Sequence, residues 1–454
     1  MLRRYLLLVL LPVLAGMAWL AWMSAGTAAG VPAPGADESL WQRLEAPLPR
    51  FLMQLMLVLV LARLAGLAMK RLGQPAVVGE MLAGIVLGPS LFGLVMPGAQ
   101  AWLFPPDSLA ALDLVSQIGV LVFLFAAGAE FELSRLRGQR RLALLVGHAG
   151  IALPFVLGLL LAWPLHAGFA PAGTGFSAFA LFLGVALSVT AFPVLLRIID
   201  ERGYRGRAVA NVAIASAAIS DATAWAMLAA IVAWTQSQGL ASLALNLAVA
   251  ALLPWVLLKW LRPRLAQVQV PDARRPLAMI GLILGALACA LATELIGLHL
   301  LFGAFVAGLA VSESAALRRI VEQRIEPFAV VLLLPLFFAS TGLRTRIDLL
   351  TGQEWLLCLA LIGVATLGKL GGTAIAARAA GMAGADVWRL GVLMNTRGLM
   401  ELIVLGLGFE LGLIDQRLYA MLVVVAIVTT MMTGPLLGWI DRREARRVQP
   451  VAST

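Results

Sequence analysis

Apolar runs of bilayer length recur along this chain from Phe51 onward, separated by short polar loops. A helix rising 1.5 Å per residue needs roughly 20 apolar residues to cross the hydrocarbon core. The pattern predicts about thirteen such helices, over 51–70, 76–95, 111–129, 142–164, 176–198, 208–234, 239–261, 276–296, 298–316, 327–343, 354–377, 387–411 and 418–440. Loop charges agree with that reading. Basic residues cluster after the odd-numbered segments: Lys70 and Arg71, Arg135 to Arg141, Arg202 to Arg207, Arg262 to Arg275, Arg318 to Arg324, Arg378, and Arg442 to Arg447. The intervening loops 97–108 and 164–175 carry no Lys or Arg, and only Arg344 and Arg346 interrupt the alternation. By the positive-inside rule the odd-numbered segments end in the cytoplasm, and so does the C-terminus.

Composition narrows the class. The chain has 454 residues, 61% hydrophobic and only 13% charged, with a mean hydropathy of +0.95. Charged content is about half that of soluble domains, so the expectation is an all-α polytopic membrane protein of a bacterial-type inner membrane. The net charge of +10 lies mostly in arginines between apolar runs, which describes loop orientation and not a nucleic-acid surface. Cys289 and Cys358 fall inside apolar runs and read as small buried hydrophobes. Residues 1–30 open with Arg3-Arg4 and an apolar stretch to Trp22, then turn to small residues; they form either a signal peptide or an extra spanning helix. Residues 31–49 read as a periplasmic linker, 50–440 as the membrane domain and 441–454 as a cytoplasmic tail.

The chain also echoes itself. Gly79-Glu-Met-Leu-Ala-Gly84 resembles Gly303-Ala-Phe-Val-Ala-Gly308, and Phe123-Leu-Phe-Ala-Ala-Gly128 resembles Phe337-Phe-Ala-Ser-Thr-Gly342. Each pair is seven segments apart, and an odd offset makes the copies antiparallel. Two inverted repeats of this kind point to a secondary transporter with its site near the midplane.

The candidate chemistry lies there. Asp221 falls near the middle of 208–234, where a carboxylate costs about 2.5–3.5 kcal/mol and faces a bundle interior or a wet cavity. Ala, Ser and Thr surround it, which lets neighbouring helices approach closely. Under the repeat, segments 176–198 and 387–411 correspond. Each holds a break mid-run, at Ser188-Val-Thr190-Ala-Phe-Pro193 and Asn395-Thr-Arg397-Gly398, and broken helices expose carbonyls and dipole ends that can ligate a cation. Lys369, one of three lysines, is deep in 354–377 and is expected to pair with Asp221. Arg397 and Glu401 are one turn apart and share a face; Glu80, near the cytoplasmic end of 76–95, is a further candidate partner for Arg397. Glu294 reads as an interface or entrance carboxylate. His148, His166 and His299 fit no metal spacing, and no nucleotide loop or Ser-His-Asp order is present.

Several stretches, in order, carry a resemblance. They are Gln74-Pro-Ala-Val-Val-Gly-Glu-Met-Leu-Ala-Gly-Ile-Val-Leu-Gly-Pro89, Ser188 to Gly203, Asp221-Ala-Thr-Ala-Trp225, Leu334-Pro-Leu-Phe-Phe-Ala-Ser-Thr-Gly342 and Asn395-Thr-Arg-Gly-Leu-Met-Glu-Leu402. Over about residues 51–440 the chain resembles the monovalent cation:proton antiporter-2 family, including the Kef-like membrane domain. The resemblance implies a thirteen-helix homodimer whose core domain moves as an elevator against a dimerisation domain. It puts Asp221 at the family's ion-binding aspartate, Lys369 at its core lysine and Thr190 at its crossover threonine. Where the family usually has Asp, or sometimes Asn or Gln, before that aspartate, this chain has Ser220, so the second carboxylate is missing. The apolar segments end soon before a short tail, so gating by a nucleotide-binding regulatory domain is not expected.

These readings predict a transporter, not an enzyme, that exchanges Na⁺ or K⁺ for protons by alternating access. Asp221, with Ser188, Thr190, Ser220, backbone carbonyls and Asn395 as candidate co-ligands, forms the ion and proton site; Lys369, Arg397, Glu401 and Glu80 are its charge partners. No cofactor and no metal beyond the transported cation are expected. A lone carboxylate suggests electroneutral one-for-one exchange. The alternative on the same fold is an uncoupled cation leak; an intramembrane aspartyl protease is disfavoured because that chemistry needs two facing aspartates.

Overall fold

The computed structural model describes residues 40–130, 140–204, 206–236, 248, 251–295 and 300–448. Residues 1–39, much of 239–261 and His299 lie outside them. Met1–Arg50 clusters as its own unit, whose described part is the helix Leu40–Glu45 and the start of the next helix. Every described regular element is helical. In the first half those of ten residues or more are α1 (Pro47–Arg71), α2 (Ala76–Leu87), α3 (Pro106–Glu130), α4 (Arg140–Phe169), α5 (Phe176–Ser188), α6 (Phe192–Glu201) and α7 (Ala208–Gln236). The second half holds α8 (251–266), α9 (Arg275–Leu295), α10 (Leu300–Val311), α11 (315–344), α12 (Gly352–Ala379), α13 (Ala385–Met394), α14 (Leu399–Glu410) and α15 (Gln416–Val448). Nine helices among the described residues are long and apolar enough to cross a membrane, and α5 and α10 are shorter apolar helices. Helix length alone therefore does not count thirteen crossings; that number rests on the loop charges.

The helices of the Phe51–Thr454 unit pack as two groups. One comprises α1 to α3 and α8 to α11; the other comprises α4 to α7 and α12 to α15. Between groups the helices touch sparsely, and within each group they approach on small residues. In a bilayer, where apolar side chains gain little by leaving lipid, such close backbone approach is what holds helices together.

The echo seen in the sequence is realised as a reciprocal packing. Helix α2 lies on α11, and α10 lies on α3. A Cβ added at Gly84 would run into the carbonyl oxygen of Ala339, and one at Gly308 into that of Phe125, which occupies the matching place in its repeat. Likewise Gly342 faces the Met81 carbonyl and the Ile85 amide, while Gly128 faces the Phe305 carbonyl and the Leu309 amide. Exchanging the halves maps each contact onto the other, residue for residue. The same register carries to α1 and α9, since Gly79 abuts the Ala65 carbonyl and Gly303 that of Cys289. A two-fold relation between the halves follows.

Two interruptions break the second group. Helix α5 stops at Ser188 because Val189 is extended (φ −65°, ψ 143°), and α6 restarts at Phe192 with Pro193 in its first turn, where a missing N–H costs nothing. The other break separates α13 from α14 at residues 395–398. Gly398 there has φ 152° and ψ −128°, a conformation open to glycine, and an added Cβ would also strike Val194.

Candidate functional site

The two breaks meet. The amide of Ala191 donates to the carbonyl of Thr396 at 3.0 Å, and the Thr190 hydroxyl donates to the carbonyl of Met394 at 3.1 Å. Four half-helix ends thus converge, and each leaves backbone groups without intrahelical partners. Stranded in a dry interior these would cost a few kcal/mol each, so what satisfies them matters.

At the first break the partners are charged. The α5 carbonyls form the negative end of a helix dipole, and cations collect there. Lys369 Nζ donates to Ser188 O at 2.5 Å, Arg397 Nη1 donates to Ala186 O at 3.1 Å, and Arg397 Nη2 donates to Leu187 O. At the opposing positive end of α6 the Phe192 amide donates to Asp221 Oδ2 at 3.3 Å. At the second break the partner of the backbone is neutral: Thr430 of α15 accepts from the Arg397 amide at 3.1 Å and donates to the Arg397 carbonyl at 2.6 Å. Thr430 thus holds the place after the second break that Asp221 holds after the first. The fold is two-fold; its charge is not.

Asp221, Lys369, Arg397 and Glu401 are all buried, none more than 4% exposed. Arg397 and Glu401 form the expected pair at 2.7 Å. Lys369 and Asp221 do not form the direct ion pair expected from the sequence: the ammonium turns to the Ser188 carbonyl instead, because the α5 end offers a closer oxygen. Glu80 is buried in α2 but is not a partner of Arg397, whose guanidinium goes to Glu401 and the α5 carbonyls. Ser188 Oγ bonds Val185 O at 2.9 Å within its own helix.

One oxygen of Asp221 is left over. Among the described residues Oδ1 has no hydrogen-bond partner, and the same holds for Ser220 Oγ, Ser216 Oγ, Thr396 Oγ1 and both side-chain amide atoms of Asn395. Ser216 and Thr396 were not singled out in the sequence. Ser216 lies one helical turn before Ser220, a spacing that marks it; Thr396 lies inside the second break. Asp221 also lines a cavity of about 10 Å³ with Leu124 and Ala127 of α3, Phe305 of α10, and Ala218, Phe192 and Met400. That is about the room one water needs, and it sits where the two helix groups meet.

Other sequence candidates have structural work. Glu294 Oε2, read from the sequence as an interface or entrance carboxylate, accepts from the Leu300 amide at 2.8 Å at the start of α10. His148 lies 3.4 Å from Thr223 Oγ1, and His166 packs on Phe176 and Phe179. Cys289 and Cys358 are free, and no group of metal-ligating side chains occurs among the described residues.

Two helix groups, and a crossing of broken helices around buried opposite charges, define a secondary transporter. The chain belongs to the sodium/hydrogen exchanger family: the family model described as "Sodium/hydrogen exchanger, transmembrane" matches residues 56–442. It is 34% identical over 392 residues to the Na⁺/H⁺ antiporter NhaS4 of Synechocystis sp., covering 85% of this chain and 96% of that one. It is 32% identical over 408 residues to the K⁺/H⁺ antiporter 1 of Saccharomyces cerevisiae (86% and 46%), and 31% identical over 401 residues to the Na⁺/H⁺-K⁺ antiporter GerN of Bacillus cereus (86% and 96%). The chain therefore spans nearly the whole of the two bacterial relatives and about half of the yeast one. In fold it is similar to the sodium proton antiporter MjNhaP1 of Methanocaldococcus jannaschii, with TM-score 0.61 and 15% identity over 86% of this chain and 96% of that one. The family is one of transporters, not enzymes.

Proposed function

We propose that this chain exchanges a monovalent cation, Na⁺ or K⁺, for protons, one for one, with Asp221 taking either ion in turn. The observation that carries this reading is the unpartnered Oδ1 of Asp221, buried at the cavity between the two helix groups. A carboxylate oxygen with nothing to bind is costly in a dry interior unless a proton or a cation completes it. Ser220 Oγ, Asn395 Oδ1 and Thr396 Oγ1 supply further oxygens for a dehydrated cation, with Thr190 positioned as the tie between the breaks. Lys369 and Arg397 hold the α5 carbonyls, so that the cation is directed to the carboxylate. Competition at one acid couples the two fluxes, and a lone acid makes the exchange electroneutral.

Alternating access then requires the group containing the breaks to shift against the other, as an elevator. Sparse packing between the groups is compatible with that motion. The ion pair of Arg344 in α11 with Glu410 in α14, at 3.2 Å, bridges the groups and must open during each cycle. In this reading residues 50–440 form the transport domain and 441–454 a cytoplasmic tail, and the protein works as a homodimer in an inner membrane.

The test is proton movement in proteoliposomes carrying a lumenal pH dye, with Na⁺, K⁺ and Li⁺ added in turn to wild type and Asp221→Asn. Dequenching with one cation, lost in the variant, supports exchange at Asp221. Isotope flux that moves no protons and survives the substitution would mean an uncoupled leak.

A further inference from the structure

On the outside of the second helix group, α12, α13 and α15 enclose a groove of about 910 Å³. Its floor is apolar, formed by Leu370, Val392, Met432 and Leu436. Its mouth is basic and aromatic. The guanidinium of Arg378 stands 5.5 Å over the Trp388 ring, and that of Arg443 stands 5.2 Å over the Trp439 ring. Both arginines are exposed, and neither forms an ion pair among the described residues. Glu444 also reaches the mouth, but its carboxylate is taken by Arg389, leaving the two arginines as the free charges there.

A long apolar trough ending in two cations on tryptophan faces has the chemistry of a lipid with an anionic head. Trp and Arg belong at the headgroup level of a bilayer, and guanidinium binds phosphate in a fork geometry. An acyl chain lying on Leu370, Met432 and Leu436 would pack along the apolar trough, which a free phosphate would leave unfilled. We propose that this groove is a binding site for one anionic phospholipid, its phosphate held between Arg378 and Arg443 and a chain lying along α12 and α15. The groove reaches Thr366, one turn from Lys369, so the chain would brace the helix that holds the Ser188 carbonyl. The inference concerns a membrane-facing surface and stands whichever cation is exchanged.

Native mass spectrometry of the purified full chain, delipidated and then given dioleoyl phosphatidylglycerol or dioleoyl phosphatidylcholine, tests this. The expected result is one phosphatidylglycerol adduct, retained at least fivefold better than phosphatidylcholine. Arg378→Gln with Arg443→Gln should abolish the preference. Leu436→Trp, which fills the trough and leaves both arginines, should reduce retention by a similar factor; this second variant guards against loss of the first through misfolding. Equal retention of the two lipids, or a preference that survives the double substitution, would overturn the proposal. So would glycerol 3-phosphate displacing the lipid at equal concentration, because the trough would then contribute nothing.

Discussion

Ala191 and Thr396, on two different broken helices, are joined backbone to backbone at 3.0 Å, so neither interruption is a local kink. Each break supplies the hydrogen-bond partner that the other lacks, and the charged groups then complete only the first of them. The consequences can be tested one group at a time.

Glu401 compensates Arg397 where both are fully buried. Glu401→Gln leaves a buried guanidinium without its counter-charge, a change of about 3–5 kcal/mol. The expected outcome is a clear drop in melting temperature in detergent, whether or not Na⁺ or K⁺ is present. An unchanged melting curve would mean that the α5 carbonyls alone satisfy Arg397.

The reciprocal packing predicts reciprocal damage. Gly84→Val and Gly308→Val each push a side chain into a backbone carbonyl of the facing helix, and overpacking of this kind costs about 1–3 kcal/mol or more. Both should lower the yield of folded protein to a similar degree, read by size-exclusion chromatography. Damage from one alone would show that the two contacts are not equivalent under load.

Glu410 bridges the helix groups through Arg344, while Arg344 keeps its bond to Asp113 within its own group. A partly exposed pair is worth about 0–1 kcal/mol, so Glu410→Gln should alter the exchange rate by no more than roughly fivefold. Complete loss of exchange would instead put Glu410 on the ion's route.

Tyr204, in the loop between α6 and α7, donates to Asp441 at 2.6 Å. Burial first, then the Asp441 hydrogen bond and charge, push its hydroxyl up from 10.0 to about 12. A phenol held neutral in the fold stabilises it fully below pH 10, and that contribution is lost as pH rises from 10 towards about 12. Tyr204→Phe should therefore lower stability at neutral pH and flatten the alkaline decline in that window, measured by thermal melts across pH. An identical alkaline slope in the variant would assign the decline to another group.

Much of this was written in local pattern. Apolar runs of fixed length, alternating loop charge, the costly Asp221 and Lys369, and the hydroxyl-rich interruptions are properties of consecutive residues, so they are legible without a fold. The echo of Gly79 to Gly84 in Gly303 to Gly308 even carried the two-fold relation, because close helix approach demands small residues at set spacing. What tertiary structure decided was who meets whom. The sequence puts Lys369 at Asp221, but it holds the Ser188 carbonyl; Glu80, offered as a further partner for Arg397, is not one; Thr430, unremarkable in the sequence, takes the place after the second break that Asp221 takes after the first. Those pairings depend on which helices become neighbours and how each is rotated, and a buried charge goes to whichever unsatisfied oxygen that rotation brings nearest.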